Sequence, residues 1–379
     1  MDYLTFLQLL HDEIARGGGS QKKQIIRFVH TRDFRRCLTL FKKMKSSLAM
    51  LSAVQPSRII HAMICPAISE SKLSMFKNDI FIEKDARVMK VHATAHKNVQ
   101  WDHGIPWGVQ HIHAPQTWST STGHRIRIGV IDTGVDYRHP DLHHSLMRGI
   151  NLLNRNMLPY DDNGHGTHIA GTIAAANQLK GIIGVAPRAL IHPVKAFDHN
   201  GSAYVSDIIL GIDWCVRNRM HVINMSFGMK TSSKALLNAV VNAYNAGVVI
   251  VASSGNDSKR KSVDYPARYP QTIAVGATNR LHRVAKFSNR GQYIDIYAPG
   301  DKIISSWLRG NYNEMSGTSM ATSHVSGAIA LLLAQKPGLS PSEIKALLRR
   351  SATTIRGLRS SKPAPGEVDA LRLLREAER

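Results

Sequence analysis

RIRIGVIDTGVD, residues 125–136, decides the fold: an apolar run of strand length closes on Asp132, and a Thr133-Gly134 turn follows. A short apolar run of this kind, bounded by a turn, fits a strand buried on both faces, as parallel sheets require. Outward from it the same grammar repeats. ALIHPVKAF (189–197), HVINMSF (221–227), GVVIVASS (247–254) and QTIAVGAT (271–278) read as further buried strands. Helices are predicted near 167–177, 206–219, 234–246, 319–334 and 341–351. Strands alternating with helices call for an α/β domain, a parallel sheet with helices on both faces.

Before Arg125 the pattern differs. Residues 1–20 read as a short amphipathic helix ending in a Gly17-Gly18-Gly19-Ser20 joint, an N-terminal extension. QKKQIIRFVH (21–30) reads as a strand, residues 31–47 as a basic amphipathic helix and SRIIHAMICPAI (57–68) as strand-rich. SESKLSMFKN (69–78) reads as a short helix and DIFIEKDARVMKVHA (79–93) as one extended run. Residues 21–96 thus form a small α+β unit and residues 97–379 the large domain.

Composition narrows the classes. With 43% hydrophobic residues among 379, the chain can bury a sizeable core. The net charge of +22 is spread along the chain without a nucleic-acid-binding motif, so a generic basic surface is expected, and no specific nucleic-acid partner. Three cysteines make no disulfide framework. The first twenty residues carry Asp2, Asp12 and Glu13 and lack a basic n-region, and no apolar run has the length of a membrane span. A cytoplasmic protein is the expectation, with export by another route left open.

Three residues invite chemistry. Asp132 sits where a buried strand meets its turn, His165 lies between Gly164 and Gly166 at a helix entrance, and Ser319 follows Gly317-Thr318 into a long apolar helix. Alone, each has a bland role as a turn residue, a structural histidine or a helix cap. His165 and His168 are three apart, but the spacing and glutamate of a zinc-protease helix are absent. Together, an acid, a base and a hydroxyl supply the orienter, proton acceptor and nucleophile that acyl transfer needs, since a serine hydroxyl is too weak unaided.

IDTGVDYRHPDL (131–142), DDNGHGTHIAGT (161–172), INMSFG (223–228), VASSGN (251–256), DYPARYPQTIAVGAT (264–278) and SGTSMATSHVSG (316–327) resemble, in order, the landmark motifs of the subtilisin-like serine proteases, in particular intracellular bacterial members without a signal peptide. The resemblance implies the subtilisin-like fold and a serine endopeptidase of broad specificity acting on polypeptides. In it Asp132 orients His165, His165 takes the proton of Ser319, and Asn256 joins the oxyanion hole. Ser226-Phe227-Gly228 and Ala252-Ser253-Ser254-Gly255 match the segments flanking the pocket. Asp264 falls at the pocket floor, where it either favours Lys and Arg or is a solvated rim residue. Ser323 stands where the family usually has proline. Residues 21–96 resemble a ferredoxin-like inhibitory propeptide, the chain's own intramolecular partner, and WDHGIPWGVQHIHAP (101–115) a mature start, which puts self-cleavage between about Val91 and Val99. Calcium is commonly structural in the family, with Asp141 matching one ligand, while the loop at Asn177 and Gln178 departs from the pattern; the chemistry requires no cofactor. The alternative is a catalytically silent relative with a regulatory role, which the presence of Asp132, His165, Asn256 and Ser319 argues against.

Overall fold

The computed structural model describes residues 1–17, 22–90, 94–101, 103–177, 180–357 and 365–379. The N-terminal unit runs α1 (Tyr3–Arg16), β1 (Lys23–Phe28), α2 (Thr31–Met44), β2 (Gln55–Ser57), β3 (Ala62–Pro66) and β4 (Ile80–Lys84), its strands paired antiparallel in the order β2-β3-β1-β4. Successive strand residues face opposite ways, and here both faces are apolar. Ile26, Met63 and Cys65 pack with Phe6, Leu7, Leu10, Phe34 and Phe41 of the two helices. Ile25, Ala62 and Ile64 point the other way, into a cluster shared with the large domain. The first helix, read from sequence as an extension, therefore completes this unit's core.

Two expectations change. SESKLSMFKN holds only a 3-10 turn, Ser74–Phe76: Leu73 and Phe76, three apart, are both buried, and a three-residue turn sets such a pair on one side. The run from Asp79 breaks after β4: β5 (Arg87–Lys90) leaves the antiparallel sheet and pairs with the large domain instead. Val91, at the start of the expected cleavage window, lies outside the described residues.

Next come β6 (Thr94–Val99), β7 (His103–Gly104), α3 (Trp107–His111), β8 (Arg127–Asp132), β9 (Ile150–Asn151), α4 (His165–Ala174), β10 (Gly181–Ile182) and β11 (Leu190–Lys195). They are followed by β12 (Ser202–Tyr204), α5 (Val205–Arg217), β13 (Val222–Met225), β14 (Phe227–Gly228), α6 (Lys234–Asn245), β15 (Val249–Ser253) and β16 (Thr272–Thr278). The last elements are β17 (Ile296–Pro299), β18 (Ile303–Ser306), β19 (Tyr312–Ser316), α7 (Thr318–Gln335), α8 (Pro341–Ser351) and α9 (Ala370–Glu378). Among the described residues a seven-stranded parallel sheet runs β17-β16-β15-β13-β8-β11-β9. All five predicted strands are in it, and β9 and β17 close its edges. Helices α4, α7 and α9 share one cluster with Ile128 and Val222, while α5 and α6 share the other with Ile131 and Ile223, so both faces are covered. From β8 the chain goes first to β9 and β11 on one side and then to β13 on the other. In open α/β sheets the crevice lies at such a reversal, beyond the carboxyl ends of the strands.

Candidate active site

At that reversal Asp132 is the last residue of β8, His165 the first of α4 and Ser319 the second of α7, and all three are buried. Asp132 Oδ1 accepts from the Thr133 N–H at 2.8 Å and faces His165 Nδ1 at 2.8 Å. A carboxylate only accepts, so Nδ1 carries a proton, and in the neutral ring Nε2 is the acceptor. Among the described residues His165 Nε2 is buried without a hydrogen-bond partner. The Ser319 hydroxyl donates to Ser226 O at 2.9 Å, and its bond to His165 is not formed. Such nucleophile–base bonds are often made only with substrate in place.

The entrance to α4 is fixed from both sides. Gly164 has φ 101°, and a Cβ there would fall 2.4 Å from the Trp307 ring, so only glycine fits. Asp161, which the sequence reading left unassigned, binds the same turn: Oδ1 accepts from Thr133 Oγ1, Asn163 N and Gly164 N at 2.8–2.9 Å, and Oδ2 from Thr167 N and Oγ1 at 2.9 and 2.6 Å. An acid just ahead of a helix start, within reach of orphan N–H groups, is the signal that could have found it. His168 is held differently. Its Nε2 lies 3.1 Å from both Ile303 O and Asn313 O, and burial pushes the imidazole down to about 3, so it stays neutral and ties α4 to β18 and β19. Asn256 Oδ1 accepts from Thr318 N and Oγ1 at 2.9 and 2.8 Å, which fixes the amide plane beside the start of α7.

A model of the subtilase family matches residues 123–369, most of the large domain. The chain belongs to that family. Subtilisin E of Bacillus subtilis is 42% identical over 279 residues, covering 72% of each chain. A subtilisin of Bacillus pumilus is 43% identical over 254 residues, 66% of this chain and 92% of that protein. A thermostable alkaline protease of Halalkalibacterium halodurans is 38% identical over 273 residues, 72% of this chain and 74% of that protein. The subtilase is accordingly a serine endopeptidase, a hydrolase of peptide bonds.

The segments expected to flank the subtilase's pocket behave unequally. Phe227 and Gly228 form β14, which pairs antiparallel with β5; the other edge of β5 pairs with β12, so residues 87–90 are the middle strand of a three-stranded sheet. Ser202, Ala203 and Tyr204 of β12 escaped the sequence reading because three residues carry no periodicity. Ser226 holds Ser319 instead, its carbonyl accepting from the serine hydroxyl and its own hydroxyl donating to Ser319 O at 3.2 Å. Ala252 and Ser253 belong to β15 in the large sheet, Ser254 N donates to Val275 O, and Ser253 Oγ donates to Phe227 O at 3.2 Å. This stretch braces β14, and its pairing is with the large sheet.

Asp264 is neither rim residue nor bare floor. It is buried, and a Cβ on Gly228 or Gly255 would fall 2.9 or 2.5 Å from its Oδ2, so it lies between the two segments. Both oxygens accept from Lys230 Nζ at 3.0 Å, and Lys230 also binds Asp257. Burial raises the Asp264 carboxyl above its ordinary value, against the opposing pull of Lys230. Ser323, in the proline position, sits inside α7 and donates to Met320 O at 2.8 Å.

Asp141, the expected calcium ligand, is held by hydrogen-bond donors. Its Oδ1 accepts from Asn177 Nδ2 at 2.8 Å, and its Oδ2 from Ile182 N at 3.1 Å and the Tyr312 hydroxyl at 2.9 Å. Asn177 Oδ1 accepts from Lys180 N at 3.1 Å, and Gln178 lies outside the described residues. Calcium wants six to eight oxygen ligands, whereas these three partners of the Asp141 carboxylate each present a hydrogen.

Proposed function

We propose that Asp132, His165 and Ser319 act as one catalytic relay, and that the subtilase is made as a zymogen whose N-terminal unit blocks the cleft until the chain cuts itself. The path of the chain across the cleft carries this reading. Lys90 of β5 pairs with Phe227, and Thr94 of β6 pairs with Ser316, three residues before Ser319. Strands on either side of residues 91–93 thus run along the two walls that converge on Ser319, which favours self-cleavage between Lys90 and Thr94. Further support comes from the dock of the N-terminal unit. Glu83 accepts from Ala235 N at 3.0 Å at the start of α6, and Asp85 from Ser206 N at 3.0 Å at the start of α5. Anions belong at helix amino ends, where N–H groups are unpaired and the dipole is positive.

In this reading Ser319 Oγ–H passes its proton to His165 Nε2 as Oγ bonds to the scissile carbonyl carbon. The oxyanion is held by the Asn256 amide and the Ser319 N–H, and Asp132 stabilises the imidazolium. His165 then returns the proton to the leaving amine, and water repeats the sequence to release the acid half. Because β5 pairs through its backbone with strands on both sides, polypeptide substrates of many sequences are accepted. No step passes through calcium.

The test compares wild type with Ser319→Ala by intact mass and casein hydrolysis. Wild type shortens at a bond between Lys90 and Thr94 and digests casein; the variant does neither. Full-length, inert wild type would favour a catalytically silent relative.

A further inference from the structure

We propose that the subtilase carries a zinc site, independent of the catalytic reading, formed by His111 of α3, His282 of the turn after β16, and Glu367 of the segment before α9. The ligand atoms of these three lie within 4.8 Å of one another. His111 Nε2 is 3.2 Å and His282 Nδ1 2.8 Å from the same oxygen, Glu367 Oε2. The two imidazole rings face each other at 3.9 Å between centroids. Zinc bonds of about 2.0–2.1 Å in tetrahedral geometry set ligand atoms roughly 3.4 Å apart, so the cluster needs only slight widening to admit the ion. Two imidazoles and a carboxylate suit zinc, and the nitrogen donors argue against calcium.

The surroundings are those of a held ligand set. The other Glu367 oxygen accepts from Thr278 Oγ1, and the Glu367 backbone is locked in both directions to Thr353 at 2.8 and 2.9 Å. Trp107 meets the His111 ring edge-on at 5.2 Å, and the Arg280 guanidinium covers Trp107. Outer contacts of this type orient metal ligands. Glu367 is 1% exposed, its carboxylate met by both imidazoles and the Thr278 hydroxyl, yet the His282 ring is 41% exposed. The cluster therefore has an anionic floor and an open side, which gives zinc an entry path and leaves a fourth position for water. Bound there, zinc would join three segments distant in sequence: the start of the large domain, the turn after β16 and the C-terminal segment.

The experiment uses tag-free, full-length Ser319→Ala, so that self-cleavage does not blur the result. Zinc is titrated by calorimetry and thermal shift, and cobalt by its visible absorption. The expected result is one equivalent of zinc, a Tm rise of several degrees, and the intense absorption of four-coordinate cobalt. His282→Ala, at an exposed position where folding is safe, should weaken zinc binding by at least about tenfold and lose the cobalt signal; His111→Ala should do the same. Absence of zinc binding to the parent, or binding undiminished in both variants, overturns the site and leaves a hydrogen-bonded carboxylate–imidazole cluster.

Discussion

Two regions of the molecule hold a buried carboxylate with an imidazole nitrogen 2.8 Å away, Asp132 with His165 and Glu367 with His282. The pair contact is the same, and the company differs. At the cleft one imidazole faces Asp132, its second nitrogen is buried and unpartnered among the described residues, and Ser319 opens α7, which shares a core cluster with α4. That arrangement suits moving a proton. At the C-terminal segment two imidazoles converge on one carboxylate oxygen, so two nitrogens and an oxygen lie within 4.8 Å of one another. That arrangement suits holding a cation. What a carboxylate–histidine pair does is decided by the third group.

The strongest way to break the comparison is Asp132→Asn. The amide keeps the size of the carboxylate but can donate, which favours the wrong tautomer of His165; kcat should fall about 10⁴-fold, the loss typical of this change in Asp-His-Ser enzymes. Turnover of a peptide substrate by purified Asp132→Asn, after removal of the N-terminal unit in trans, measures it. Retention of more than about a tenth of wild-type activity would mean that the Asp132 contact is structural, like that of Glu367.

The sequence makes the first region legible and hides the second, for a physical reason. Asp132, His165 and Ser319 each end or begin an element beside a glycine-bearing turn, so the signal is local even though the partners are not. The central strands are equally legible, because burial on both faces leaves continuous apolar runs. Glu367 is 256 residues from His111 and 85 from His282, with no spacing to read, and it follows the sequence SSKPAPG (360–366), which has no apolar period. The strands β12 and β14 have three and two residues, and β6 and β19 pair with each other across the chain, so no apolar run announces them. The helix expected at 69–78 failed for the converse reason, since a plausible local pattern was overruled by two anchored side chains.

A third buried carboxylate sharpens the rule. Asp264 has a lysine as partner, and Lys230 is half exposed, so its ammonium can leave. A substrate Lys or Arg entering between Gly228 and Gly255 competes with Lys230 for that charge. Lys230→Ala should raise kcat/KM for P1 Lys or Arg over P1 Phe by about tenfold, near the 1.4 kcal/mol expected of one charge-assisted contact. A P1-varied peptide panel reads it, with Asp264→Asn as the companion. If neither variant changes the ranking, the Asp264 carboxylate only braces the two segments.

The smallest effect belongs to a fourth carboxylate. Asp141 is fully buried and is met by an amide N–H, a backbone N–H and a phenol O–H. Burial, with Asp141 itself, raises the Tyr312 phenol, so that hydroxyl remains a donor throughout the working range. Neutral donors satisfy the carboxylate without a cation, and a calcium ion would have to turn aside the Asn177 and Tyr312 side chains and displace the Ile182 N–H. Each such bond to a charged group is worth about 1.5–3 kcal/mol, so the exchange gains little. Millimolar calcium against EGTA should therefore move the Tm of Ser319→Ala by less than about 1 °C, whereas a bound ion at a hundredfold excess over its Kd would add about 2.7 kcal/mol of stability. A rise of several degrees that Asp141→Asn abolishes would show that these donors rotate away and that Asp141 is a ligand after all. The same titration with zinc, unaffected by Asp141→Asn, would then assign the two cations to the two carboxylates by their partners, oxygen-rich for one and imidazole for the other.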